Sequence, residues 1–190
     1  MDAAMVFEWH DHHFINRVAC LDFANTVVYR NRPERREDRL KSRADLRAWL
    51  AAAGLPPGGR SALKDAIALR ETIDGLFRGI AAARPSADRE WSTLVARYRI
   101  LLGRSAMKLA PDGLAPAMAN APPLALIAHS AVALALSPLL GRVKVCGGCG
   151  WLFIDRTRNR RKRWCITAMC GSRAKARRYY ARKTGRLVQS

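Results

Sequence analysis

Four of the five cysteines fall between positions 146 and 170, spaced C-x2-C-x15-C-x4-C at Cys146, Cys149, Cys165 and Cys170. That spacing limits what residues 142–190 can fold into more than any hydrophobic pattern does. The segment has few large apolar side chains, and chains of about 40 residues rarely fold without disulfides, a metal or a partner. Zinc is the expected source of stability. Four thiolates surround it in a tetrahedron at about 2.3 Å, and no site exists in the unfolded chain, so binding energy becomes folding energy. Gly147 and Gly148 let the backbone turn tightly enough to aim both sulfurs of the first pair at one ion. The C-x2-C-x15-C spacing is that of a structural zinc site; the x4 gap of the second pair is wider than the usual x2 but still within reach. Four sulfur ligands leave no open coordination position, so the metal is expected to be structural and the protein not an enzyme.

An odd cysteine count, clustered in this way, suits a reduced cytoplasmic setting better than a disulfide framework. The opening MDAAMVFEWHDHHF has neither the cationic nor the apolar region of a secretory leader. Residues 113–141 carry no charge, but prolines at 116, 122, 123 and 138 cut the run. The remaining helical stretch, Leu124 to Ser137, is well short of the about 20 residues a membrane span needs, so a buried core helix is expected and no membrane partner.

The charge is distributed unevenly. Residues 142–190 hold 15 Lys+Arg and one acid, Asp155, whereas residues 1–141 hold 19 bases and 14 acids. A few arginines would balance a four-thiolate zinc centre of formal charge −2, and a merely solvated face would mix signs. An unrelieved basic run instead implies a polyanionic partner. Double-stranded DNA is the expected one, with RNA as the alternative. The candidate contacts are Arg158, Arg160, Arg161, Lys162 and Arg163 on a loop, expected to meet phosphates, and Arg173, Lys175, Arg177, Arg178, Arg182 and Lys183 on a helix, where arginine can also read guanine edges. Tyr179 and Tyr180 are expected to pack on the module's own core rather than stack on bases.

The body reads as mainly helical. Val18 to Tyr29 reads as one short helix. Ser42 with Asp45 three residues on is a capping box, and Gly54 followed by Pro56 ends that helix. Apolar residues from Leu63 to Ile80 follow helical spacing in a helix from Ser61 to Ala83, and Ser86 caps a further one over Ala87 to Leu102. Residues 107–119 are read as short strands. In the tail, Trp151 to Ile154 reads as a strand, the polar DRTRNRRKR as a turn or hairpin, and Trp164 as a lid over the metal cluster. Ser172 reads as the N-cap of a helix from Arg173 to Lys183 that Thr184-Gly185 ends.

These residues resemble a known family. WCITAMCGSRAKARRYYARK and the upstream FIDRTRNRRKRWC are similar to the CGNR zinc finger, with the motif at Cys170-Gly171-Ser172-Arg173 and serine in place of the family's asparagine. CLDFANTV at Cys20 to Val27, with DLRAWLAAAGL, resembles the ABATE domain, a family described as regulating transcription under stress. The resemblance implies a helical N-terminal domain, zinc on the four cysteines and DNA binding through the finger. The fold class expected is mainly α: a helical ABATE-like domain over 1–141, then a treble-clef-like zinc finger over 142–190 with a short β-hairpin and a basic C-terminal helix. A small-molecule effector or a second copy of the chain are the candidate partners of the body. A thiol redox sensor and a protein-interaction module are the alternatives from other classes.

Among the remaining candidates, the cluster His10, His12 and His13 is expected to be an exposed loop, His129 a satisfied core histidine, and Cys20 a small buried apolar group. Asp22 and Asn25 share a face and are expected to be structural. There is no P-loop and no GxGxxG.

Overall fold

The computed structural model of the chain describes residues 6–57, 62–84, 87–103, 107–110, 113–116 and 121–184. Among the described residues, five α-helices build the body: α1 (Ala19–Ala24), α2 (Arg43–Ala52), α3 (Leu63–Ala81), α4 (Ala87–Leu102) and α5 (Pro123–Ala135). Three two-stranded antiparallel ribbons join them: β1 (Val27–Val28) with β2 (Glu37–Asp38), β3 (Met107–Ala110) with β4 (Gly113–Pro116), and β5 (Val143–Val145) with β6 (Leu152–Ile154). A π-helical turn, Thr167–Gly171, leads into α6 (Ser172–Lys183). The chain is mainly α, as expected. None of the described helices is long and apolar enough to cross a membrane.

Local chemistry explains most boundaries. Ser42 Oγ accepts from Asp45 N at 3.1 Å while the Asp45 carboxylate accepts from Ser42 N at 2.8 Å, a complete capping box opening α2. Gly54, at φ +66, ends it. Leu46, Trp49 and Leu50 project from α2 into the core, where Phe23 lies 4.8 Å from Trp49 ring to ring. From α3, Leu69, Ile73, Leu76 and Phe77 are buried at helical spacing, and α5 is buried along most of its length. Ser61, Ser86 and Gly185, expected as caps or stops, lie outside the described residues.

Two local expectations are corrected. The helix at Val18 to Tyr29 stops at Ala24, because Thr26 turns its hydroxyl back onto Phe23 O (2.8 Å) and the β-branched Val27 and Val28 enter β1. Ser172 is not a cap: at φ −62 and ψ −42 it is already helical and makes no capping bond. The preceding π-turn has wound the chain from an extended Ile166, with Cys170 N–H donating to Ile166 O at 2.8 Å.

One difference reaches beyond boundaries. The tail was expected to depend on metal for want of a core, yet Val143, Leu152 and Ile154 are buried within the main hydrophobic core alongside α1, α3 and α5. Residues alternate across a strand, and β6 uses both faces. Leu152 and Ile154 enter the body's core, while Phe153 and the adjoining Trp151 pack against the four cysteines.

Candidate metal centre and basic surface

The hairpin β5–β6 carries the first cysteine pair at its tip. Cys146 N–H donates to Trp151 O (2.8 Å) and Gly150 N–H to Cys146 O (2.9 Å), closing the knuckle. Gly148 N–H points at Cys146 Sγ (3.4 Å). Gly150 has φ +74, and a Cβ there would stand 2.8 Å from Asn31 Oδ1. A Cβ on Gly148 would stand 3.0 Å from the Cβ of Cys170. The second pair brackets the entry to the π-turn: Cys165 precedes it and Cys170 lies in its last turn. Of the turn or hairpin expected in DRTRNRRKR, the structure has the turn, at residues 158–159, within an irregular loop. Its one acid, Asp155, is fully buried and organises it: the carboxylate accepts from Lys144 Nζ (2.7 Å), Thr157 Oγ1 (2.5 Å) and Lys162 N (2.9 Å). Burial opposes its ionisation, but these donors hold the carboxyl below the usual carboxylate range.

All four sulfurs are buried and lie within 4.8 Å of one another, the one such group of potential ligands among the described residues. Cys149 Sγ to Cys165 Sγ is 3.5 Å and Cys165 Sγ to Cys170 Sγ 3.8 Å. Tetrahedral bonds of about 2.3 Å separate sulfurs by about 3.8 Å, whereas a disulfide would need about 2.05 Å. The arrangement therefore fits a zinc ion held by four thiolates. The packed thiols are already biased toward sharing charge: hydrogen bonds from Cys149 and Cys165 lower the Cys146 thiol, and the bond to Cys146 raises those two in turn. A cation between them would stabilise all four as thiolates. Trp164 packs against the cluster as expected, its ring meeting the faces of Gly147 and Gly171, where added methyl groups would stand 3.1 Å away.

The body holds this centre through residues that sequence reading assigned only a general structural role. Asn25 Nδ2 donates to Leu152 O (2.9 Å) and its Oδ1 accepts from Leu152 N (2.8 Å), so its amide replaces a missing strand neighbour for β6. Asn16, which sequence reading missed, accepts from Ile154 N (3.1 Å) and donates to Leu152 O (3.2 Å). Asp22 fixes Asn16 by accepting from its amide (2.9 Å) and backbone N–H (3.1 Å). Tyr29 N–H donates to Cys149 O (2.8 Å), and Arg78 reaches Gly150 O (2.9 Å) from α3. No sequence signal at Asn16 announces a partner 138 positions away.

Of the basic candidates, Arg158, Arg160, Arg161, Arg163, Arg173, Lys175, Arg178, Arg182 and Lys183 are exposed, while Lys162 and Arg177 are half-buried. None forms an ion pair with a described acid. The body differs: Arg70 is fully buried and grips Asp38 with two bonds of 2.7 Å, Arg30 holds Glu71 and Asp74, and Arg78 holds Asp74. Helix α6 turns Ala174 inward and leaves most of its surface open. Tyr179 and Tyr180 do not pack on the module's core; they are 61% and 63% exposed, their rings edge-to-face at 5.5 Å. Ala174 is the one buried residue of α6, so the helix packs too little of its surface to cover either tyrosine.

Elsewhere, the histidine cluster is not simply exposed: His13 is buried and accepts from His10 N–H at 2.9 Å. Half-buried His129 is hydrogen-bonded to Tyr98. Cys20 is fully buried, and burial pushes its thiol up to about 12.

Residues 17–138 match the ABATE family, described as "Putative stress-induced transcription regulator", and residues 142–183 match the CGNR zinc finger. None of the curated proteins compared with the chain matches it.

Proposed function

The chain belongs to the ABATE family and ends in a CGNR zinc finger, and on that premise we propose that it is a zinc-dependent, duplex-DNA-binding regulator of transcription acting in the reduced cytoplasm. The observation that carries the reading is the surface of the finger. Its one acid is internal, and its loop and helix present unpaired bases in a protein whose body arginines grip carboxylates. Cations held this way release counterions on meeting phosphates, so the loop bases would anchor the backbone and the arginines of α6 would reach base edges. The role is one of binding rather than catalysis, since four thiolates complete the metal's coordination.

The test is duplex binding by the zinc-loaded chain across a salt series, with and without chelator. Log K should fall linearly with log salt by about 0.9 per phosphate contacted, and chelation should abolish binding. A flat salt response would instead identify a protein-interaction module. The exposed Tyr179 and Tyr180 favour a second reading, RNA, because open aromatic rings stack on splayed bases. Competition between duplex DNA and RNA at fixed salt distinguishes the two.

A further inference from the structure

We propose that Tyr29 and Arg35 of the body, with Arg173 and Arg177 of α6, form a phosphate-binding cleft beside the metal centre. These four residues line a depression whose floor is Gly148 and Cys170. Its cavity volume is about 10 Å³, room for about one water-sized group, so it suits the oxygen of a phosphate held at its mouth rather than a whole nucleotide.

The lining chemistry selects an anion. Three arginines and no carboxylate line the cleft, the guanidinium groups of Arg35 and Arg173 both meet Tyr29, and none of the three is ion-paired with a described acid. Arg173 donates to the Tyr29 hydroxyl at 3.0 Å, which leaves that hydroxyl's own proton to donate elsewhere. Arg35 stacks over the Tyr29 ring at 4.3 Å, a contact that uses the guanidinium face and leaves its N–H edge free. The metal centre beneath carries a formal −2 with zinc bound, which offsets part of the positive charge but presents sulfur, not the oxygen that a guanidinium fork matches.

The backbone gives independent support. Tyr29 has φ +57, in the left-handed region that a bulky aromatic rarely enters. It is pinned there by its N–H to Cys149 O and by Arg32 N–H to its own carbonyl, both 2.8 Å. Strain of this kind is retained where it positions a group for a ligand, and here it turns the phenol toward α6. The cleft thus exists only where body and finger meet, so isolated finger residues would not reproduce it. That the phosphate belongs to DNA rests on the function proposed above; the anion site itself does not.

The test uses the full zinc-loaded chain with Arg35→Gln, and Arg36→Gln as a control on an exposed neighbour outside the cleft. In the first arm, duplex binding is measured across salt. Losing one phosphate contact should reduce the salt slope by about 0.9 and weaken binding about 5-fold at 0.15 M salt for Arg35→Gln only. In the second arm, inorganic phosphate is titrated at fixed ionic strength. If Arg35→Gln changes the DNA slope, the phosphate comes from the duplex. If it leaves DNA binding unchanged but weakens inorganic phosphate binding at least 10-fold, the cleft takes a free phosphate. If the wild-type chain binds no duplex yet binds phosphate in an Arg35-dependent way, the DNA reading fails and the cleft stands. Equal behaviour of Arg35→Gln and wild type in both arms overturns the cleft. Zinc content, measured for each variant, confirms that the finger is intact.

Discussion

His13 is a buried imidazole with Arg39, His10 and His12 as neighbours. Burial, His12, Arg39 and His10 together lower it from 6.5 to about 4. In the window between those values the unfolded chain binds the proton and the folded chain does not, so stability is full above about pH 6.5 and falls as the pH drops toward 4. Asp22 works the opposite way: burial raises it to about 6, so its protonation favours the fold as pH falls from 6 to the ordinary carboxylate range. His13→Gln should flatten the wild-type loss between pH 6.5 and 4 by up to about 3 kcal/mol, read as the difference between the two proteins in urea unfolding at each pH. The glycines of the knuckle are more severe positions. Gly148→Ala would place a methyl group 3.0 Å from the Cβ of Cys170, pushing one ligand outward at a cost of about 1–3 kcal/mol. Weaker zinc retention against a chromophoric chelator would record it. Such residues divide by what the sequence could reveal. The ligands and Trp164 were legible because their chemistry is local, whereas Asn16 and Asn25 act on β6, more than a hundred positions away.

At the scale of elements, β6 depends on borrowed hydrogen bonds. It has β5 on one side only, and the amides of Asn16 and Asn25 serve the other. Asn25→Ala would leave the N–H of Leu152 buried and unpaired and its C=O held by Asn16 alone, costing about 1–3 kcal/mol. The loss should appear in thermal unfolding and, because β6 abuts the metal centre, in faster zinc release. Asp38→Ala tests a different joint. It would leave fully buried Arg70 with only Glu71 as an acidic partner, at a cost of about 3 kcal/mol, the low end for breaking a buried pair since Asp38 is itself a third exposed. Element identity was readable wherever a local signal was strong, as in the Ser42–Asp45 box of α2 and the apolar stripe of α3. It failed at Ser172, where serine, glycine and a basic run looked like a helix start but the π-turn through Cys170 had already begun the winding. It failed again at Thr26–Val28, where three β-branched residues outweighed the helical pattern.

Across the whole molecule, the metal site and the body share a core, because Leu152 and Ile154 are buried with residues of α1, α3 and α5. Chelation should therefore lower the melting temperature of the entire chain in a single transition, with near-ultraviolet circular dichroism and far-ultraviolet signals moving together. An unaltered body transition after zinc removal would mean that the finger melts alone. The overall class, the four ligands and the basic tail were all apparent from composition and spacing, since each is a property of a short segment. The seam between body and finger was not, because the apolar residues of β6 look the same whichever core they fill.

That seam has a bearing on ancestry. A strand that seats Leu152 on one partner and Phe153 on another cannot shift by a single residue without exchanging the occupants of both. Nor can the finger be cut out and spliced to a foreign scaffold as a ready cassette, since its departure would leave a greasy furrow behind and an unmatched edge on the piece removed. The two halves should travel through descent as a pair.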